Sequence, residues 1–264
     1  MDAGAVKVVY YDLDKVDAVA RDTTNGLRLF IQTEHRTAAE IEASRDPSTV
    51  LALIRMLNPA RMGRREGEPF KVVYASSSEV PDFLHQAIVS AGGVLWIDNQ
   101  ERAYNGQSLP ADALFDNALR NIVAGVSRRT GLSVNLGGLA SLERKLAKAR
   151  PDRERNAEVY WTSVIELGAF AGEVMRLTKG GGWIASDEAI SSMPVLFDCR
   201  GNKVNFLGKA IKFYANGESD SVVPLVKVMC QRIDEEDASS ATPSPAAPGT
   251  PPPKPGFFGR LFGK

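Results

Sequence analysis

The sequence predicts an α+β protein, and three observations carry that reading. Short β-branched and aromatic runs occupy the chain before residue 100; a helical block with 3.6-residue apolar spacing follows; a second, smaller set of strands begins after the glycines at 180–182. With 264 residues, 44% hydrophobic and 24% charged, the chain can bury one large core or two small ones.

VKVVYYDL (6–13), LRLFIQT (27–33), FKVVYA (70–75) and VLWID (94–98) read as strands, each bounded by polar clusters. KVVY occurs at 7–10 and again at 71–74 with unlike flanks, so the echo reads as two similar strands and not as a repeat. PSTVLALIRML (47–57) reads as a helix. Between the last two strands, SSEVPDFLHQAIVSAGG sets Phe83, Leu84, Ile88 and Val89 at helical spacing, with Ser78 expected as N-cap and Gly92 as stop.

In the helical block, ADALFDNALRNIVAGVSRR puts Leu114, Ala118, Ile122 and Val123 on one face and ends at Gly131. LASLERKLAKAR carries a thin stripe of Leu139, Leu142 and Leu146, and Pro151 is expected to open the next helix. AEVYWTSVIELGAFAGEVMRLT is apolar nearly all round, the mark of a helix in the middle of a domain. WIAS, PVLFDC and KVNF then predict a small antiparallel meander, with a turn at Arg200, Gly201 and Asn202. Two helices, LGKAIKFYANG and SVVPLVKVMCQRI, close the fold near Ile233. The expected organisation is a mixed region at 1–135, a helical and meander module at 136–233, a disordered linker at 234–255 with seven prolines from 243 onward, and an amphipathic peptide at 256–264.

Composition narrows the function classes. Thirty-two basic residues balance thirty-two acidic ones, so no global field favours nucleic acid. The basic runs RMGRR (61–65) and RKLAKAR (144–150) are diluted at once by Glu66, Glu68, Asp152 and Glu154, and read as solvated faces. Cys199 and Cys230 sit in apolar segments and read as buried thiols. MDAGAVKVVYYD lacks the pattern of a signal peptide and no run is long enough to span a bilayer, which predicts a cytoplasmic protein, peripheral on the membrane if its last residues bind there.

No glycine-rich phosphate loop follows a strand, and only His35 and His85 offer imidazole, so neither a cofactor nor a metal site is expected. The sharpest enzymatic pattern is VVYYDLDKV, in which Asp12 and Asp14 follow an apolar strand. It resembles the first motif of haloacid-dehalogenase-type phosphotransferases, and the resemblance implies Asp12 as nucleophile and Asp14 as acid/base, with Ser76 after VVYAS as a second motif; the later acidic motifs are missing. The alternative function is therefore a phosphoryl-transfer hydrolase using Asp12 and Asp14. His85, near Ser76, Glu79 and Asp82, lacks the strained elbow of a serine triad and reads as a helix-surface histidine. Glu166 and Glu173 share a helix face and read as glutamates that flank the core and pair with Arg or Lys, while Gly168 and Gly172 in GAFAG are expected to admit a close backbone neighbour. ELGAFAGEVMR followed by GGGWI, a strand pair and KAIKFYANGESDSV resembles a small bacterial domain family of unassigned function over roughly 158–225. That resemblance implies a small α+β module and no catalytic residues.

The final stretch, KPGFFGRLFGK, sets Phe257, Phe258, Leu261 and Phe262 within an arc of about 140° on a helix, with Arg260 and Lys264 at its edge. It resembles the C-terminal membrane-targeting sequence of MinD-type cell-division ATPases through Gly256, Phe257, Phe258, Arg260, Leu261, Phe262 and Gly263, with Gly259 where that pattern is usually basic. The implied function is a non-catalytic bacterial adaptor or scaffold: its folded region binds a protein partner, and its peptide tethers it to an anionic membrane surface. The same peptide could instead be a short linear motif in a partner's groove. One copy binds weakly, so a homo-oligomer would strengthen the hold through effective concentration.

Overall fold

The computed structural model describes residues 6–12 (backbone alone), 16–62, 69–149, 156–186 and 193–241. Asp14, Pro151 and residues 242–264, with all of the predicted anchor peptide, lie outside them.

The fold is α+β. Six strands form the main sheet in the order β1 (Val6–Asp12), β2 (Val16–Asp22), β3 (Arg28–Glu34), β4 (Phe70–Ser76), β5 (Val94–Ile97), β6 (Gln100–Arg102). The first three form an antiparallel meander, β3, β4 and β5 run parallel, and β6 returns antiparallel. The parallel pairs need crossovers. Between β3 and β4 these are α1 (Ala38–Ala43) and α2 (Arg45–Met62); between β4 and β5 it is α3 (Asp82–Ser90). Thr37 opens α1 with a capping box closed by Glu40. At the β5–β6 hairpin, Asp98 and Asn99 both take positive φ (50° and 62°), as a two-residue type I′ turn requires.

Five helices follow the sheet: α4 (Ala111–Thr130), α5 (Leu136–Ala149), α6 (Ala157–Lys179), α7 (Phe206–Asn216) and α8 (Val222–Ala241). The smaller sheet, β7 (Gly182–Ala185), β8 (Val195–Cys199) and β9 (Asn202–Val204), lies between α6 and α7 in sequence. Arg200 (φ 54°) and Gly201 (φ 82°) make its type I′ turn where the meander was expected to reverse. Gly131, at φ 71°, ends α4 as predicted, in the left-handed conformation that glycine adopts without strain.

α6 is the centre of the helical half. Val164, Ile165, Leu167, Phe170, Ala171 and Met175 are fully buried on it. Its two glycines work as close-approach sites: a Cβ at Gly168 would stand 2.5 Å from the Leu207 side chain and 3.0 Å from its Cα, and one at Gly172 would stand 2.3 Å from the Trp183 indole. The missing side chains let α7 and β7 sit directly on the helix backbone. One continuous apolar cluster runs from Val19 and Phe30 in the main sheet through α2 and α4 to Trp183, Phe197 and Ile233.

Several elements differ from expectation, the short helix α1 among them, which was not predicted. β2 and β6 were not predicted. Helix α3 starts at Asp82 with Pro81 at the N-cap, because Ser76 and Ser78 are held in their own turn: the Ser76 hydroxyl donates to the Ser78 carbonyl and accepts from the Ser78 amide. Asn156, whose side chain accepts from the Val159 amide, caps α6. Residues 234–241, expected to belong to the linker, are the end of α8, which runs to Ala241. Its acidic last turns meet fixed partners: Lys179 pairs with Asp234, Arg200 with Asp237, and Asn202 donates to Glu236 at 2.9 Å.

Candidate functional site

In open sheets with parallel strands, ligands gather at the carboxyl ends of those strands. Here that edge is formed by the ends of β3, β4 and β5. It concentrates polar groups that the sequence did not single out.

Glu34, the last residue of β3, is buried, with its side chain only 3% exposed. Register places it beside Ser76 and two residues from Tyr74 along β4, on the same face. Its Oε1 accepts from the His35 amide, the Arg36 amide and Arg36 Nε, each at 3.0 Å. Its Oε2 accepts from Arg36 Nη2 at 2.8 Å and from the Tyr74 hydroxyl. Burial alone would raise the carboxyl pKa, but the Arg36 guanidinium, the Tyr74 hydroxyl and the Arg36 amide outweigh it and hold Glu34 down at about 2. Burial and the adjacent Glu34 charge push the Tyr74 phenol up, and the hydrogen bond to Glu34 raises Arg36 further. At neutral pH the strand end therefore carries an ionised pair.

The network continues into the first crossover. Arg36 Nη1 donates to Ser48 Oγ at 3.0 Å, and Ser44 and Ser48 hydroxyls lie 2.9 Å apart. Thr33 and His35 extend it on the other side of the strand: the Thr33 hydroxyl donates to Asp17 at 2.7 Å and lies 3.2 Å from His35 Nε2. Chemically, Glu34 is saturated with donors and is a poor proton acceptor at neutral pH. Arg36 keeps about a fifth of its side chain exposed and is a charged group that this edge presents, beside the exposed Asp98 after β5.

The predicted site residues fall elsewhere. Asp12 ends β1, the outermost strand, opposite Val16, and its partner Asp14 lies outside the described residues, so the two are not brought together on any surface that can be described. Phe257, Phe258, Arg260, Leu261, Phe262 and Lys264 also lie outside. His85 is half-buried, with its ring 4.9 Å from that of Tyr104, and desolvation lowers its pKa; the Ser76 hydroxyl is turned to Ser78 instead. Glu166 and Glu173 pair with arginines, as expected: Arg129 reaches Glu166 at 2.8 Å, and Arg176 Nε reaches Glu173 at 2.7 Å. Both cysteines are free thiols, with Cys199 buried. Among the described residues no group of His, Cys, Asp and Glu is placed to hold a metal ion, and no helix is long and apolar enough to cross a membrane.

Glu34, Arg36 and Tyr74 were missed because nothing local marks them. The available signal was an acid and a base two apart, directly after an apolar strand. No family model matches the chain, and no curated protein and no solved structure matches it.

Proposed function

We propose that this protein is a non-catalytic adaptor or scaffold whose folded region binds a protein partner and whose segment 256–264 tethers it to an anionic membrane surface. The observation that carries the proposal is the arrangement of that segment: four large apolar side chains on one helical face, Arg260 and Lys264 beside them, behind a proline-rich spacer. The fold supports it by supplying a firm base. α8 packs on α6 and makes ion pairs as far as Asp237, so the chain leaves the fold from a defined point, and residues 242–255 would reach roughly 40 Å if extended at ~3 Å per residue.

The energetics suit a reversible anchor. Partial burial of Phe257, Phe258, Leu261 and Phe262 contributes roughly 4–6 kcal/mol gross, and each basic residue at an anionic leaflet about 1 kcal/mol. Ordering the segment costs about 1 kcal/mol per residue, which offsets most of this. A single copy binds weakly, and oligomerisation on a partner would lengthen its residence. Full-length protein is expected to co-sediment with anionic vesicles and to lose that binding on Phe258→Asp with Leu261→Asp. Equal pelleting of the two proteins would overturn the membrane half of the proposal. Affinity capture on full-length protein, compared with a chain ending at Ala241, separates a partner of the folded region from one of the tail.

A further inference from the structure

The six-stranded sheet has two faces, and only one is accounted for. Tyr74, Leu95 and Ile97 point into the main core with α2 and α3. The alternate residues Ala20, Leu29, Val73 and Trp96, with Ile31 and Ala75 beside them, form a separate cluster on the opposite face. Among the described residues this cluster draws only on β2 to β5 and on Leu27 just before β3; no helix contributes. Yet Ala20, Leu29 and Val73 are fully buried and Trp96 is 6% exposed. Side chains on a sheet face reach such burial under a second layer. Trp96 adds a polar clue: its indole N–H is buried and has no acceptor among the described residues, a state that a covering carbonyl would relieve.

We propose that this face is the docking surface for segment 256–264 of the same chain. Of the segments wholly outside the described residues, this is the one that contains aromatic side chains; 1–5, 13–15, 63–68, 150–155, 187–192 and 242–255 contain none, and Tyr10 and Tyr11 belong to β1, whose backbone is paired within the sheet itself. Phe257, Phe258, Leu261 and Phe262 offer one apolar face to a flat strip of Leu, Ile, Val, Ala and Trp, and the segment's backbone carbonyls can accept from Trp96. Reach is sufficient. The spacer from Ala241 would cover roughly 40 Å if extended, against a radius of gyration of about 18 Å for a fold of this size. The sheet and the membrane then compete for the same four side chains, so the docked form holds the anchor back and a ligand that displaces it from the sheet promotes tethering. The competition rests on the membrane reading proposed above; the docking does not.

Full-length protein with photoreactive p-benzoylphenylalanine replacing Phe258, irradiated at low concentration, is expected to give intramolecular adducts within 27–31, 73–75 or 94–96. Ala75→Glu, which puts a charge on this face, should reduce them severalfold. Adducts only between copies, only elsewhere on the fold, or none at all would overturn the proposal. Phe258→Asp with Leu261→Asp changes no residue of the folded core and should make tryptophan fluorescence more accessible to acrylamide; unchanged quenching counts against docking. Vesicle binding separates the two readings. Adducts without any vesicle binding keep the docking and remove the membrane anchor, whereas vesicle binding that is equal in wild type and Ala75→Glu, without adducts, does the reverse.

Discussion

At the end of β3, five donors surround one buried carboxylate, whereas along α6 two glycines bring Leu207 and Trp183 onto bare helix backbone. The first region is held by charge and geometry of hydrogen bonds, the second by shape. The contrast teaches where each region is vulnerable. The strand end should fail when charge is removed or protonated, and the α6 seam should fail when volume is added.

Arg36→Ala tests the first region most severely. It leaves Glu34 buried without its main partner, and losses of that kind cost about 3–5 kcal/mol, measured as a drop in the midpoint of denaturant unfolding. Gly168→Ala tests the second. Because Leu207 Cα and amide N, and not only a mobile side chain, stand within 3.1 Å of the added carbon, overpacking should cost about 1–3 kcal/mol. Gly172→Ala, against the rigid Trp183 indole, belongs to the same range.

Acid sharpens the comparison further. Glu34 is held at about 2 against an ordinary 4.5, so its contribution is complete above pH 4.5 and is lost as pH falls toward 2. In acid titrations of stability, Glu34→Gln should flatten that part of the profile, and Gly168→Ala should shift the whole profile without changing its shape. The smallest effect is expected at α8: Arg200→Ala removes an ion pair in which both side chains are 55% exposed, worth at most about 1 kcal/mol and weakened further by salt. A loss above that would mean that the last turns of α8 are integral to the small sheet.

Legibility in the sequence follows the range of the forces involved. α4 and α6 were readable because their apolar spacing and glycine stops are local, and the close-approach role of Gly168 and Gly172 followed from small residues in an otherwise bulky helix. β2 was hidden because VDAVARD has only two β-branched residues and three charges among small alanines, too weak a local strand signal until β1 and β3 flank it. β6 is three exposed residues, Gln100 to Arg102, and its only local trace is Asp98-Asn99, residue types that tolerate positive φ. The acidic end of α8 has the composition of a linker; Lys179, Arg200 and Asn202, distant in sequence, supply its carboxylates with partners that composition does not reveal. The Glu34 network was unreadable for the same reason, since Tyr74 and Ser48 reach it only through the parallel pairing and the crossover.

If residues 256–264 anchor the protein to an anionic surface, as proposed, vesicle flotation of the full-length protein should show binding that climbs as the anionic lipid fraction rises, is abolished by Phe258→Asp with Leu261→Asp, and falls about tenfold on Arg260→Glu. Binding that ignores lipid charge, or that survives both changes, would rule the anchor out.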